Sequence, residues 1–116
     1  MHISTRHVSG AVICDLNGDL TYANRQPFKA AVDQARQSGC QHLIVNLEKV
    51  RFIDSSGLGL LALAATSFRA LQRRVSLLKP QQYVREILTL ANLATMIPIY
   101  DSEEEAQREA SAPVRA

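Results

Sequence analysis

Apolar residues recur along this chain with two different periods, and the switches between them mark out the elements. Ile3 to Val8 and Ala11 to Leu16 are short β-suited runs joined at Ser9-Gly10, a dipeptide that favours a tight turn. An antiparallel hairpin is therefore expected at the start. In the second run Val12, Cys14 and Leu16 share the face expected in the core, and Ala11, Ile13 and Asp15 share the other. Asn17-Gly18 signals a turn or bulge before Leu20. Asn24 can then cap a first helix running to about Ser38, with Pro27 in its first turn and Gly39 as its stop. Phe28, Ala31, Val32 and Ala35 fall at i, i+3, i+4 and i+7, a single apolar stripe facing a sheet.

His42 to Leu47 is almost continuously apolar, which suits a central parallel strand buried on both faces; Asn46 is its polar exception. Val50, Phe52 and Ile53 lead into Asp54-Ser55-Ser56-Gly57, and a second helix is expected from about Gly57 to Gln72. Leu58, Leu61, Ala65 and Phe68 form its sheet-facing stripe, leaving Leu60, Leu63, Ala64 and Ala70 over. A helix apolar nearly all round in so small a domain points to a binding face beside Ser55.

Val75 to Leu78 reads as another buried strand. Lys79-Pro80 ends it and opens a third helix, with Tyr83, Val84, Ile87, Leu88 and Leu90 on its apolar side and Asn92 as its left-handed close. Ile97 to Tyr100 reads as an edge strand, because Pro98 has no amide proton for a ladder. Ser102 to Glu105 is a capping box that opens a short last helix. Strands alternating with helices give an α/β fold in one domain over residues 1–110, with a disordered tail at 111–116. The sheet is expected to be mixed and mostly parallel, about five strands with about four helices, opening with the hairpin.

Composition narrows the function more than the fold. The 116 residues are 47% hydrophobic without Trp, so the core is aliphatic. Net charge is +2 with no dense basic stripe; Arg69, Arg73 and Arg74 read as a solvated helix end, and no nucleic-acid partner is expected. Cys14 and Cys40 lack ligand spacing and read as reduced, buried thiols of a cytoplasmic protein. No run resembles a signal peptide or spans a bilayer, so no membrane insertion is expected. His2 and His7 read as exposed edge residues and His42 as a surface or strand-end residue, giving no metal or cofactor site.

The candidate chemistry lies at Asp54 and Ser55. Both are of the type that caps a helix. A hydroxyl there sits where free N–H groups and the helix dipole favour negative charge, so a phosphate would be tolerated and would change what docks beside it. From spacing alone, a plain N-cap is the commoner role of such a serine. A Ser55–Asp54–His triad is disfavoured: Asp-Ser-Ser-Gly lacks the Gly-x-Ser-x-Gly elbow, and the histidines are expected away from Ser55. The chain is not expected to be an enzyme.

The run Leu43-Ile44-Val45-Asn46-Leu47, then Val50, then Phe52-Ile53-Asp54-Ser55-Ser56-Gly57-Leu58-Gly59, closely resembles the motif of bacterial anti-sigma factor antagonists. These are single-domain members of the STAS family (sulphate transporter and anti-sigma antagonist). The resemblance implies a STAS fold and a partner-switching function in transcription regulation. In that scheme the unphosphorylated form binds an anti-sigma factor that is also a serine kinase, and so frees a sigma factor. Phosphorylation of Ser55, with Ser56 the alternative, breaks the complex, and a phosphatase resets it. Mg-ATP belongs to the kinase. Asp54 and Gly57 would support the loop, and Asp19, Thr21, Ser56, Leu58, Gly59, Leu60 and Leu63 would meet the partner. Family antagonists carry Gly-Glu-Leu-Asp or similar near Asn17; here Thr21 stands at the closing acidic position, and Asp19 is the candidate to supply that charge. Leu20 to Phe28 also resembles the equivalent segment of anion-transporter STAS domains. That similarity supports an alternative: an interaction module that is never phosphorylated, such as a cytoplasmic subunit of a lipid or anion transporter or part of a sensory assembly.

Overall fold

The computed structural model describes residues 1–110, with the side chain of Ala110 excepted. The tail at 111–116 lies outside the described residues. Two strands, β1 (His2–Val8) and β2 (Ala11–Asn17), form the expected hairpin. Ser9 and Gly10 both take positive φ at its tip, the backbone hand that two-residue hairpin turns require. After a single 3-10 turn at Tyr22–Asn24 come α1 (Arg25–Gln37), β3 (His42–Lys49), α2 (Ser55–Ala70) and β4 (Arg74–Leu78). Then follow α3 (Gln82–Leu90), α4 (Leu93–Met96), β5 (Ile99–Tyr100) and α5 (Glu103–Ala110). The sheet runs in the order β1-β2-β3-β4-β5, antiparallel only between β1 and β2.

The strand alternation divides the core in two. Val12, Cys14, Leu16, Leu43, Val45, Leu47, Val75 and Leu77 point to the face covered by α1, α2, α3 and α4. Ala11, Ile13, Ile44 and Leu78 point to the opposite face, where Ala106 of α5 packs on them. Burial on both sides explains why β3 is apolar almost throughout. Both cysteines are free and buried, and the Cys14 thiol is pushed up to about 12 by desolvation.

Several details differ from the sequence reading. Asn24 precedes α1 but does not cap it: its Nδ2 donates back to the Asp19 carbonyl at 2.6 Å, because the 3-10 turn aims it toward that loop. The second helix starts two residues earlier than Gly57, at Ser55. Its buried set is Gly57, Leu60, Leu61, Ala64 and Phe68, with Leu58 and Ala65 only half-buried. The reason is lateral packing, since α2 is flanked by α1 on one side and by α4 on the other while lying on β4. Pro80 lies two residues before α3 rather than at its first position. Tyr83 and Leu90 face solvent, and α4 is a further helix, opened by Asn92 at φ 61. His42 is wholly buried at the start of β3 rather than a surface residue.

Candidate functional site

At the carboxyl end of the parallel strands, the β2–α1 and β3–α2 loops run side by side. Leu20 N donates to Phe52 O at 3.0 Å and Asp54 N donates to Leu20 O at 3.3 Å, a short parallel bridge between Leu20 and Ile53. Both side chains are buried and anchor the loops to the core. Gly57 makes this approach possible. A Cβ there would lie 2.1 Å from Leu20 O and 2.7 Å from Ile53 Cγ1, so no larger residue fits without moving backbone.

Asp54 is the N-cap of α2. Its Oδ1 accepts the Gly57 amide at 2.8 Å and its Oδ2 accepts the Tyr22 amide at 3.1 Å, so one carboxylate caps the helix and clamps the neighbouring loop. These N–H donors, Gly57 first, hold its pKa below the usual carboxylate value. Ser55 is the first residue of the helix and is exposed, and its hydroxyl has no hydrogen-bond partner among the described residues. Ser56 is half-buried. Asp54 already engages the Gly57 amide, and Ser55 is exposed, so a group carried on the Ser55 oxygen would be displayed outward.

The other residues named from sequence are placed as follows. Asp19 is exposed, with its carbonyl bound by Asn24, and Thr21 is half-buried at the start of the 3-10 turn. Ser55, Gly59 and Leu63 (65% exposed) lie along one solvent-facing line of α2 at i, i+4 and i+8. A Cβ at Gly59 would meet nothing within 4 Å, so the fold does not require glycine there. Leu58 is half-buried, and Leu60 is buried. Leu60 instead lines a groove of about 260 Å³ between α1 and α2, with Phe28, Val32 and Leu63.

Two surface aromatics were not singled out by the sequence reading. Tyr22 is 59% exposed with the Arg25 guanidinium 3.8 Å from its ring centroid, and Phe52 is 41% exposed. Both flank Asp54, Tyr22 through its amide and Phe52 two residues before it. The available signal was their position: large aromatics in loops, outside any core-facing alternation. Asn46 supports β2 rather than the Ser55 loop, donating to Asp15 Oδ1 at 2.7 Å. Of the histidines, His2 pairs with Asn17 and so lies at the Ser55 end of the sheet, contrary to expectation, but on the outer strand. His42 begins β3, roughly 20 Å or more from the Ser55 end by strand length. With the Asp54 carboxylate committed to backbone amides, no triad is assembled around Ser55. Among the described residues no three metal-type side chains cluster, and no helix is long and apolar enough to cross a membrane.

The STAS domain model matches residues 2–106, and the chain belongs to the STAS domain family. It is 27% identical to the anti-sigma F factor antagonist of Paenibacillus polymyxa over 94% of each chain. Among solved structures it is similar to a candidate anti-sigma factor antagonist of Thermotoga maritima, at 28% identity, 95% coverage of each chain and a TM-score of 0.88. It is also similar to the Bacillus cell-fate determinant SpoIIAA in its phosphorylated form, at 25% identity, 93% coverage of this chain and 99% of that one, with a TM-score of 0.72.

Proposed function

We propose that this chain is a cytoplasmic anti-sigma factor antagonist whose Ser55 is the phosphorylated switch. Unphosphorylated, it docks on an anti-sigma factor that is itself a serine kinase, and the sigma factor is released. The observation that carries this reading is the unpartnered, exposed Ser55 hydroxyl on a loop held from behind by Asp54 and Gly57. The docking face comprises Ser55, Ser56, Gly59 and Leu63 of α2 with the edge of Leu58, and Asp19, Thr21, Tyr22 and Phe52 of the adjoining loops. Aromatic side chains and an arginine on such a rim have the composition of interface anchors. The chain itself supplies no catalytic group; a partner kinase brings Mg-ATP, and a phosphatase removes the product.

The switch acts through charge. A phosphoryl group adds about −1.5 to −2 at neutral pH. Because Ser55 is exposed and Asp54 already takes the Gly57 amide, that charge remains at the surface, beside another carboxylate, and repels a partner fitted to a neutral hydroxyl. A loss of about 3 kcal/mol suffices for a hundredfold drop in affinity. The fold is expected to be unaltered, since Ser55 makes no internal bond to lose.

The test is intact mass with site mapping on the chain isolated from its native cells under several growth conditions, followed by binding measurements with the kinase that co-purifies. We expect phosphate on Ser55 in some conditions only, binding retained in Ser55→Ala, and binding lost about a hundredfold in Ser55→Asp with an unchanged Tm. An unmodified Ser55 throughout, with equal binding by both variants, would replace this reading by a constitutive interaction module. Thr21 in place of an acidic residue is the feature that favours that second reading.

A further inference from the structure

At the opposite end of the sheet from Ser55, where β3 and β4 begin, lies a cavity of about 310 Å³. Its lining includes the side chains of Arg69, Arg73 and Arg74, with His42, Ser76 and Tyr100. None of the described lining residues is acidic. The acidic groups acting on its Tyr100 wall are Glu105 and Glu109 of α5. The Glu109 backbone carbonyl takes an Arg74 N–H at 2.9 Å, and the Arg36 carbonyl takes an Arg73 N–H at 2.9 Å. The Arg69 guanidinium has no partner among the described residues. A guanidinium presents five donors, so Arg73 also retains unused ones.

The second observation is His42. It is wholly buried, and its Nε2 lies 2.6 Å from Ser76 Oγ. Its Nδ1 is the one buried side-chain polar atom without a partner among the described residues. Such an orphan is rare in native proteins; it has no accessible surface, so His42 enters the cavity wall only as a neutral ring bonded to Ser76. Desolvation, with the Arg74 charge, keeps the ring neutral at pH 7, so the positive charge of the cavity comes from its arginines.

We propose that this cavity is a binding site for a small oxyanion, a phosphate or carboxylate group held by the Arg69 and Arg73 guanidinium groups, with the neutral His42–Ser76 pair in the wall beside them. A planar guanidinium matches either group with paired hydrogen bonds, and the two share the same acceptor chemistry. The site is independent of the Ser55 surface and does not rest on the proposed switch.

The experiment uses the full chain, labelled with ¹⁵N, at pH 7. Inorganic phosphate and sodium acetate are titrated in separate arms, each against chloride at matched ionic strength. We expect saturable shifts at His42, Arg69, Arg73 and Ser76 in the phosphate or the acetate arm, and the arm that saturates names the ligand class. Arg69→Ala, an exposed position outside the core, should raise the midpoint about tenfold without changing Tm. The proposal is overturned by shifts that stay linear to about 50 mM, a concentration weaker than any useful site. It is equally overturned by shifts that chloride reproduces or by an unchanged midpoint in Arg69→Ala.

Discussion

Two glycines two residues apart have opposite meanings in this molecule. Gly57 lies against the Leu20 carbonyl, and any Cβ there meets backbone at 2.1 Å. The bridge between the two loops must then open, which exposes Leu20 and Ile53 and misaligns the Asp54 clamp. Gly59 has open space around it, so its cost is only the poor helix propensity of glycine. Gly57→Ala is therefore expected to destabilise the fold by ~3 kcal/mol or more, whereas Gly59→Ala should stabilise it by up to ~1 kcal/mol. Urea denaturation of the two variants measures both. Equal midpoints would mean that Gly57 is not the contact that brings the loops together. If Gly59 serves the docking face, Gly59→Ala should bind the partner more weakly although it folds better.

Among the described residues of α5, one buried side chain, Ala106, and a few exposed bonds attach the helix to the sheet. Ala106 is fully buried against Ala11, Ile13, Ile44 and Leu78. Arg6 of β1 grips both oxygens of Asp15, at 2.6 and 2.9 Å, and reaches Glu103 of α5. These ion pairs are a quarter to two-fifths exposed, so water and salt discount them. Arg6→Ala should cost less than ~1 kcal/mol, while Ala106→Glu, which buries an unpaired carboxylate, should cost ~2 kcal/mol or more. Hydrogen exchange should then speed up in α5 before it does in α2; if Arg6→Ala alone releases α5, the packing contribution is overstated. The strand and helix order was legible because the two periods alternate and several turns carry Gly, Pro or Asn, as at Gly10, Gly39, Pro80 and Asn92; the turn after α2, where Gln72 takes φ 59, carries none. The Phe28, Ala31, Val32 and Ala35 stripe and the Val12, Cys14 and Leu16 face were legible for the same reason. What the pattern left open was α2. Its apolar surplus could be assigned to a partner or to neighbouring helices, and only the placement of α1 and α4 shows Leu60 and Ala64 turned inward. The Ser55 loop was legible as a contiguous motif, but the Tyr22 amide on Asp54 joins residues 32 apart and has no local signal.

For the molecule as a whole, the buried histidine and the bonded carboxylates set how stability depends on pH. Burial lowers the His42 pKa from 6.5 to about 4, with Arg74 adding to the effect. The folded state therefore holds a neutral ring while the unfolded chain takes up a proton below 6.5. Its contribution is intact above that pH and is lost as the pH falls toward 4, up to ~3 kcal/mol. Asp15 and Glu103, held down by Arg6, and Asp54, held down by the Gly57 and Tyr22 amides, act in the next interval. Their folded pKa values lie below the ordinary carboxylate range. What they contribute is therefore present above that range and disappears only as the pH drops through the lower folded values. Acid unfolding should thus proceed in two intervals, one governed by an imidazole and a second by carboxylates. Urea midpoints measured from pH 8 to pH 3 should fall first between 6.5 and 4 and again below 4. His42→Gln, which keeps a polar group near Ser76 but cannot take up a proton, should flatten the first fall and leave the second. An unchanged slope between 6.5 and 4 in that variant would show that some other group carries the first interval.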